Sequence, residues 1–162
     1  MIDIHTDARV SALADIEDSV RGSRIVIGAH SMIDSFVKIK PVGGKGDVII
    51  GEHTCINSGC VLYSGNGINI GNNVAIAANC TLAPVNHAYH DKGRLISAQG
   101  FLPSKGGILI EEDVWIGSNC VLLDGAILRR GVVVAAGSIV RGELQAYGIF
   151  AGAPLQNKGF RQ

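Results

Sequence analysis

Charge of one sign is never in excess in this chain: 14 lysines and arginines stand against 14 aspartates and glutamates. No net field favours a nucleic acid or an anionic membrane, so any charge argument has to be local. Long hydrophobic runs are missing too. The start, MIDIHTDARV, has no apolar stretch behind a basic residue, and nothing later is long enough to span a bilayer; membrane insertion is not expected and a cytoplasmic location is. The four cysteines, Cys55, Cys60, Cys80 and Cys120, have neither CxxC spacing nor the density of a disulfide framework. They give no reason to invoke an oxidising compartment. Aromatic residues are scarce, at 5%.

Glycine, by contrast, is plentiful, with 22 residues and no collagen-like period of three. That composition suits a chain that turns often and tightly. With 47% hydrophobic residues in 162 positions, there is enough apolar surface for one domain with a sizeable core.

The informative feature is a period of six. An aliphatic residue returns without slippage at Ile110, Ile116, Leu122, Leu128, Val134 and Val140. Four positions after each stands a second inward candidate: Val114, Cys120, Ala126, Val132, Ser138 and Leu144. The same phase runs backwards through Ile70, Ile76 and Leu82, then Ile50, Ile56 and Leu62, then Ile27, Ile33 and Ile39, and more faintly Val10 and Ile16. A helix needs a repeat near 3.6 and an ordinary strand alternates by two. Six fits a short strand plus a corner, repeated. Taking three hexapeptides per coil, the coils start at Val10, Ile27, Ile50, Ile70, Ile110 and Leu128, at intervals of 17, 23, 20, 40 and 18 residues. Every departure from 18 falls on the third side, so insertions should leave at one edge of a triangular prism. Each coil cannot close a core alone; stacked coils bury a continuous aliphatic column and pair their backbones in parallel ladders.

The segments IGNNVAIAANCTL and VWIGSNCVLLDGAIL resemble the hexapeptides of bacterial acyltransferases. The likeness covers roughly residues 10 to 154. It implies an all-β, single-domain, left-handed parallel β-helix over 1–162, with an extended loop at about 83–106 and a short C-terminal tail, 147–162. The hand comes from the resemblance, since parallel crossovers are otherwise right-handed.

Long loops on rigid scaffolds carry function, and the 83–106 loop holds two of the five histidines. In galactoside and maltose O-acetyltransferases a comparable loop supplies a general-base histidine in the context TL-x-x-x-x-H. Here that pattern runs from Thr81 and Leu82 to His87. An imidazole titrating near neutrality can deprotonate a hydroxyl or amine that would otherwise attack a thioester poorly. Asn86, Asp91 or a backbone carbonyl could orient its second nitrogen. The resemblance places Asn57 on an acceptor-binding asparagine, and Asn86 and His90 join it as acceptor-binding candidates. The family's aromatic two positions earlier is Cys55 here, which argues against a galactoside or maltose acceptor. The backbone N–H of Ser118 is the implied oxyanion donor.

The same likeness implies acetyl-CoA, or another acyl-CoA, as co-substrate, with its pantetheine arm along exposed backbone much as a peptide adds to a strand. Residues 125–162 contain Arg129, Arg130, Arg141, Lys158 and Arg161 against Glu143 alone. Arg129, Arg141, Lys158 and Arg161 are therefore candidates for the CoA phosphates, with Trp115 and Ala136 along the groove. Trp115 should point outward, where subunit packing is its first role. Cys60, Cys80 and Cys120 should fill the core rather than react. Outward Val121, Ile127 and Val133 call for burial in a homotrimer. The chain is similar to compact sugar O- and N-acetyltransferases of surface-polysaccharide pathways, so a sugar or nucleotide sugar is the expected acceptor, with no metal required. Two alternatives belong to other classes. A γ-carbonic-anhydrase-like zinc enzyme would assemble His53, His87 and His90, although the family's Arg-x-Asp and Gln-Asp pairs are missing. A non-catalytic β-helix scaffold would need only the regular exterior.

Overall fold

The computed structural model describes residues 1–162. Its strands form three parallel faces. The first face stacks Ile2–Ile4, Ile25–Ile27, Val48–Ile50, Ile68–Ile70, Ile108–Ile110, Ile127–Leu128 and Glu143–Leu144. The second stacks Arg9–Val10, Met32–Ile33, Cys55–Ile56, Ala75–Ile76, Trp115–Ile116, Val133–Val134 and Gly148–Ala151, and the third runs from Asp15–Ile16 to Ile139–Val140. The chain visits the faces in turn, so each strand pairs with its counterpart one coil away, Ile56 with Ile76 and Ile76 with Ile116. This is a left-handed parallel β-helix.

The period of six is the length of a side. Ile33, Ile56, Ile76, Ile116 and Val134 lie in one buried column, and Ile39, Leu62, Leu82, Leu122 and Val140 in another. Each such side chain contributes about 1.5–3 kcal/mol relative to remaining in water. Four-residue corners join the first face to the second and the second to the third in every complete coil. From the second coil on, their third residue is left-handed, as at Asn79, Asn119 and Gly137, and asparagine and glycine tolerate that region best. Phe36 takes the same conformation at φ 63°, held by the ladders on either side of it.

One expectation is corrected. Val10 does not open the first coil: Ile2–Ile4 does, and Val10 lies on the second face beside Ile33. The first strand escapes the pattern because it is half-exposed and carries Asp3 between its isoleucines. With the coils so phased, all variation in length falls at the third edge, between the third face and the first, at residues 17–24, 41–47, 64–67 and 84–107. The 147–162 segment extends the second face: Gln156–Phe160 returns antiparallel on Gly148–Ala151.

Candidate active site

At the third edge the backbone is packed too tightly for a side chain at Gly44 and Gly107. A Cβ at Gly44 would lie 2.1 Å from the Gly65 carbonyl oxygen, and one at Gly107 would lie 2.5 Å from that of Gly67. The glycines around Lys45, which resemble no working phosphate loop, are there to let successive corners stack. On this compact shelf stands the root of the long loop.

The loop is a braced hairpin. Ala88 N–H donates to Gly100 O (2.9 Å) and Leu102 N–H to Asn86 O (2.8 Å), pairing the two arms about His87 and Phe101. The tip is tied by Gln99, whose amide nitrogen donates to Asp91 O and Arg94 O while its oxygen accepts from Asp91 N–H. His87 is exposed and its ring packs on Phe101, centroids 4.8 Å apart. Neither proposed side-chain orienter is bonded to it: Asp91 caps Gly93 N–H, and Asn86 contributes its carbonyl to the neck. His90 is also exposed, and its ring packs at a tilt against Tyr89. Asp124 receives hydrogen bonds from Lys105 N–H, Gly107 N–H and the Asn66 side chain.

Two clefts meet at Arg141. One, of about 510 Å³, is lined by Ile139, Arg141, Ala153, Pro154 and Leu155. The other, about 270 Å³, lies against the loop and includes Asn86, Tyr89, Lys105, Asp124 and Arg141. The remaining basic candidates are elsewhere. Arg129 bridges Glu111 (2.8 Å) and Glu143 (2.7 Å), Arg161 binds Asp113 (2.9 Å) and the Gly131 carbonyl, and Lys158 bonds Gln156. Arg130 lies 3.3 Å from Glu112. Three cations of the segment that is basic along the chain, Arg129, Arg130 and Arg161, are thus paired with Glu111, Glu112 and Asp113 of the fifth coil. Arg129 holds the Glu111 carboxyl below its ordinary range, aided by Arg130 N–H.

The second edge carries the other candidates. Asn57, Ser118 and Ala136 occupy its corners in the third, fifth and sixth coils. Asn57 donates its side-chain amide to Ile76 O (2.8 Å). The backbone N–H groups of Ser118 and Ala136 have no acceptor within the chain, while the Ser118 carbonyl takes Gly137 N–H. Trp115 is outward and 52% exposed, beside Ala75 and Val133 on the second face. Cys60, Cys80 and Cys120 form a buried column in which each thiol donates to a carbonyl of the next corner, at 3.1–3.2 Å. Cys80 beside it and burial push the Cys120 thiol well up, consistent with packing rather than reactivity.

His53 stacks on His30 at the first edge, centroids 4.8 Å apart, whereas His87 and His90 stand at the third. The three histidines of the zinc alternative do not converge within one chain.

Residues 107–142 match the family described as bacterial transferase hexapeptide (six repeats), and residues 47–84 match the hexapeptide repeat of succinyl-transferase. The chain is 26% identical over 140 residues to the putative lipopolysaccharide biosynthesis O-acetyl transferase WbbJ of Escherichia coli, covering 83% of this chain and 68% of that one. It is 30% identical over 112 residues to the probable acetyltransferase Rv3034c of Mycobacterium tuberculosis, 69% of this chain but 37% of the relative's length. Among solved structures, AntD, an N-acyltransferase from Bacillus cereus in complex with dTDP and 3-hydroxybutyryl-CoA, superposes with a TM-score of 0.82 at 20% identity, over 99% of this chain and 83% of that one. The hexapeptide-repeat acetyltransferase VCA0836 from Vibrio cholerae, complexed with acetyl-CoA, gives 0.63 at 23% identity, over 99% and 72%. At these identities the structural likeness speaks to the fold. Repeats, faces and corners together define a hexapeptide left-handed β-helix. The chain is similar to the hexapeptide-repeat acyltransferases, and acyltransferase is its enzyme class.

Proposed function

We propose that this protein transfers an acyl group, acetyl in the first instance, from coenzyme A to a hydroxyl or amine of a sugar or nucleotide sugar, with His87 as general base. The observation that carries the reading is the loop itself: a braced hairpin that holds an exposed imidazole, bonded to nothing else in the chain, on an arm whose Asn86 and Tyr89 line a cleft. In the reaction His87 takes the acceptor proton as the oxygen or nitrogen attacks the thioester carbonyl carbon. The carbonyl oxygen gains the negative charge, for which the Ser118 N–H is the donor. Collapse breaks the carbon–sulfur bond, and the imidazolium returns the proton to the leaving thiolate. The products are an ester or amide and free coenzyme A.

His87 and Ser118 lie at different edges of one prism, so a site that uses both takes them from adjacent copies. This, with the outward Trp115 and Val133, supports a homotrimer with its acyl-CoA grooves between subunits. Arg141, at the junction of the two clefts, is the cation for the CoA phosphates. The names of WbbJ and AntD, an O-acetyl transferase of lipopolysaccharide biosynthesis and an N-acyltransferase seen with dTDP, support a sugar or nucleotide-sugar acceptor. Work on such an acceptor suits a cytoplasmic protein.

The test is His87→Ala. The variant should keep its assembly and CoA affinity and lose about 10²- to 10⁴-fold in kcat, the usual range for a general base, while His90→Ala does far less. A loss confined to KM would mean that His87 only holds the acceptor.

A further inference from the structure

We infer that Asp124, together with Asn66, is a positioning residue that sets where His87 stands; the inference rests on His87 being the base. An insertion of this length has a large closure entropy to overcome and would otherwise wander over the surface. Here its two arms are joined by side chains from other coils. Asn66, at the third edge one coil before the loop, donates its backbone N–H to Pro84 O on the outgoing arm (3.0 Å). Its side-chain amide donates to Asp124 Oδ2 (3.1 Å), one coil after. The same oxygen accepts Lys105 N–H (2.7 Å) and Oδ1 accepts Gly107 N–H (2.9 Å), both on the returning arm. Gly125 N–H closes the ring on Gly107 O (2.7 Å). Outgoing arm, Asn66, Asp124 and returning arm thus form one hydrogen-bonded clasp spanning three coils.

The chemistry requires a carboxylate. Three donors converge on it, and only an acceptor-only group of this size takes all three; an amide would turn an NH₂ toward one of them. Charge-assisted bonds of this kind are about twice as strong as neutral ones. His87 stands three residues beyond Pro84, and the rung from Leu102 to Asn86 carries the register of the clasp into the neck. Asp124 also lines the smaller cleft, but the loop's own donors occupy it, which separates its role from that of the base.

The experiment uses the full chain with Asp124→Asn, Asp124→Ala and Asn66→Ala. Hydrogen exchange is followed at Lys105, Gly107 and the neck, and turnover of acetyl-CoA with whichever sugar supports the fastest wild-type rate. Exchange at Lys105 and Gly107 should rise and kcat fall about 10- to 100-fold, since misplacement by about 1 Å suffices for that. The midpoint of the kcat–pH profile and the CoA affinity should stay put, with Asn66→Ala smaller in the same direction. Faster exchange with unchanged kcat, or unchanged exchange, overturns the inference. So does a shifted midpoint in Asp124→Asn, which would place Asp124 in the proton transfer itself. If Asp124→Ala does not fold, the isosteric Asp124→Asn and the Asn66 variant decide. Full activity in His87→Ala would remove the base reading instead, and the exchange data would still show whether the clasp exists.

Discussion

His87 and Arg141 are set apart from the other candidates by their surroundings. Both are exposed with no acidic partner, and Arg141 lines two clefts, whereas Arg129, Arg130 and Arg161 are each paired to a carboxylate. The sequence singles out the loop histidine because its spacing from Thr81 and Leu82 is local. The cations were not. Pairing of Ile110 with Leu128 sets Glu111, Glu112 and Asp113 directly below Arg129, Arg130 and Gly131, and a window along the chain cannot see across coils. Asp124 was missed for the same reason, since its partners lie 17 to 58 residues away. These surroundings give a prediction. Arg141→Ala should weaken CoA binding about 10- to 100-fold, the loss of a charge-assisted contact, while Arg129→Ala leaves it unchanged. Titration calorimetry reads both, and the reverse order would move the phosphate site to the first edge.

A strand of two or three residues is too short to be read by alternation, yet the strands were placed because the column of Ile, Val and Leu repeats with the side of the prism. The repeat failed at Ile2–Ile4, where burial is partial and the pattern weak. Corner chemistry was legible as small residues but not as hydrogen bonding: Ser31 and Thr54, both buried, hand their hydroxyls to the carbonyls of Gly51 and Gly71. The acid–base ladder on the last coils has a consequence for pH. Glu111 has its folded pKa depressed by Arg129 and Arg130; its contribution to stability is complete above the unfolded value and is lost as pH falls through the lowered one. Glu111→Gln should therefore melt lower than wild type at pH 7, with the gap closing below about pH 4. Thermal melts at both pH values check this; a gap that persists in acid would mean that Glu111 acts through packing rather than charge.

At the scale of the molecule, two invariant edges and one variable edge divide the work. The first two edges keep every complete coil in register, and the third accepts insertions without disturbing a ladder, which is how a rigid repeat comes to carry a long loop. The prism was legible in the sequence; its hand and its chemistry came from resemblance, because periodicity carries neither. On the proposed reading the functional unit is three prisms, each contributing a His87 loop to a neighbour's groove. The most direct measurement is thiol release from acetyl-CoA by the purified oligomer across sugars, nucleotide amino sugars, serine and simple alcohols, before and after dialysis against a chelator. The account predicts acceptor-dependent release with a sugar or nucleotide sugar, undiminished by chelation. No release with any acceptor, together with no CoA binding, would contradict it and leave a scaffold; release abolished by chelation and restored by zinc alone would replace the His87 mechanism with a metal-centred one.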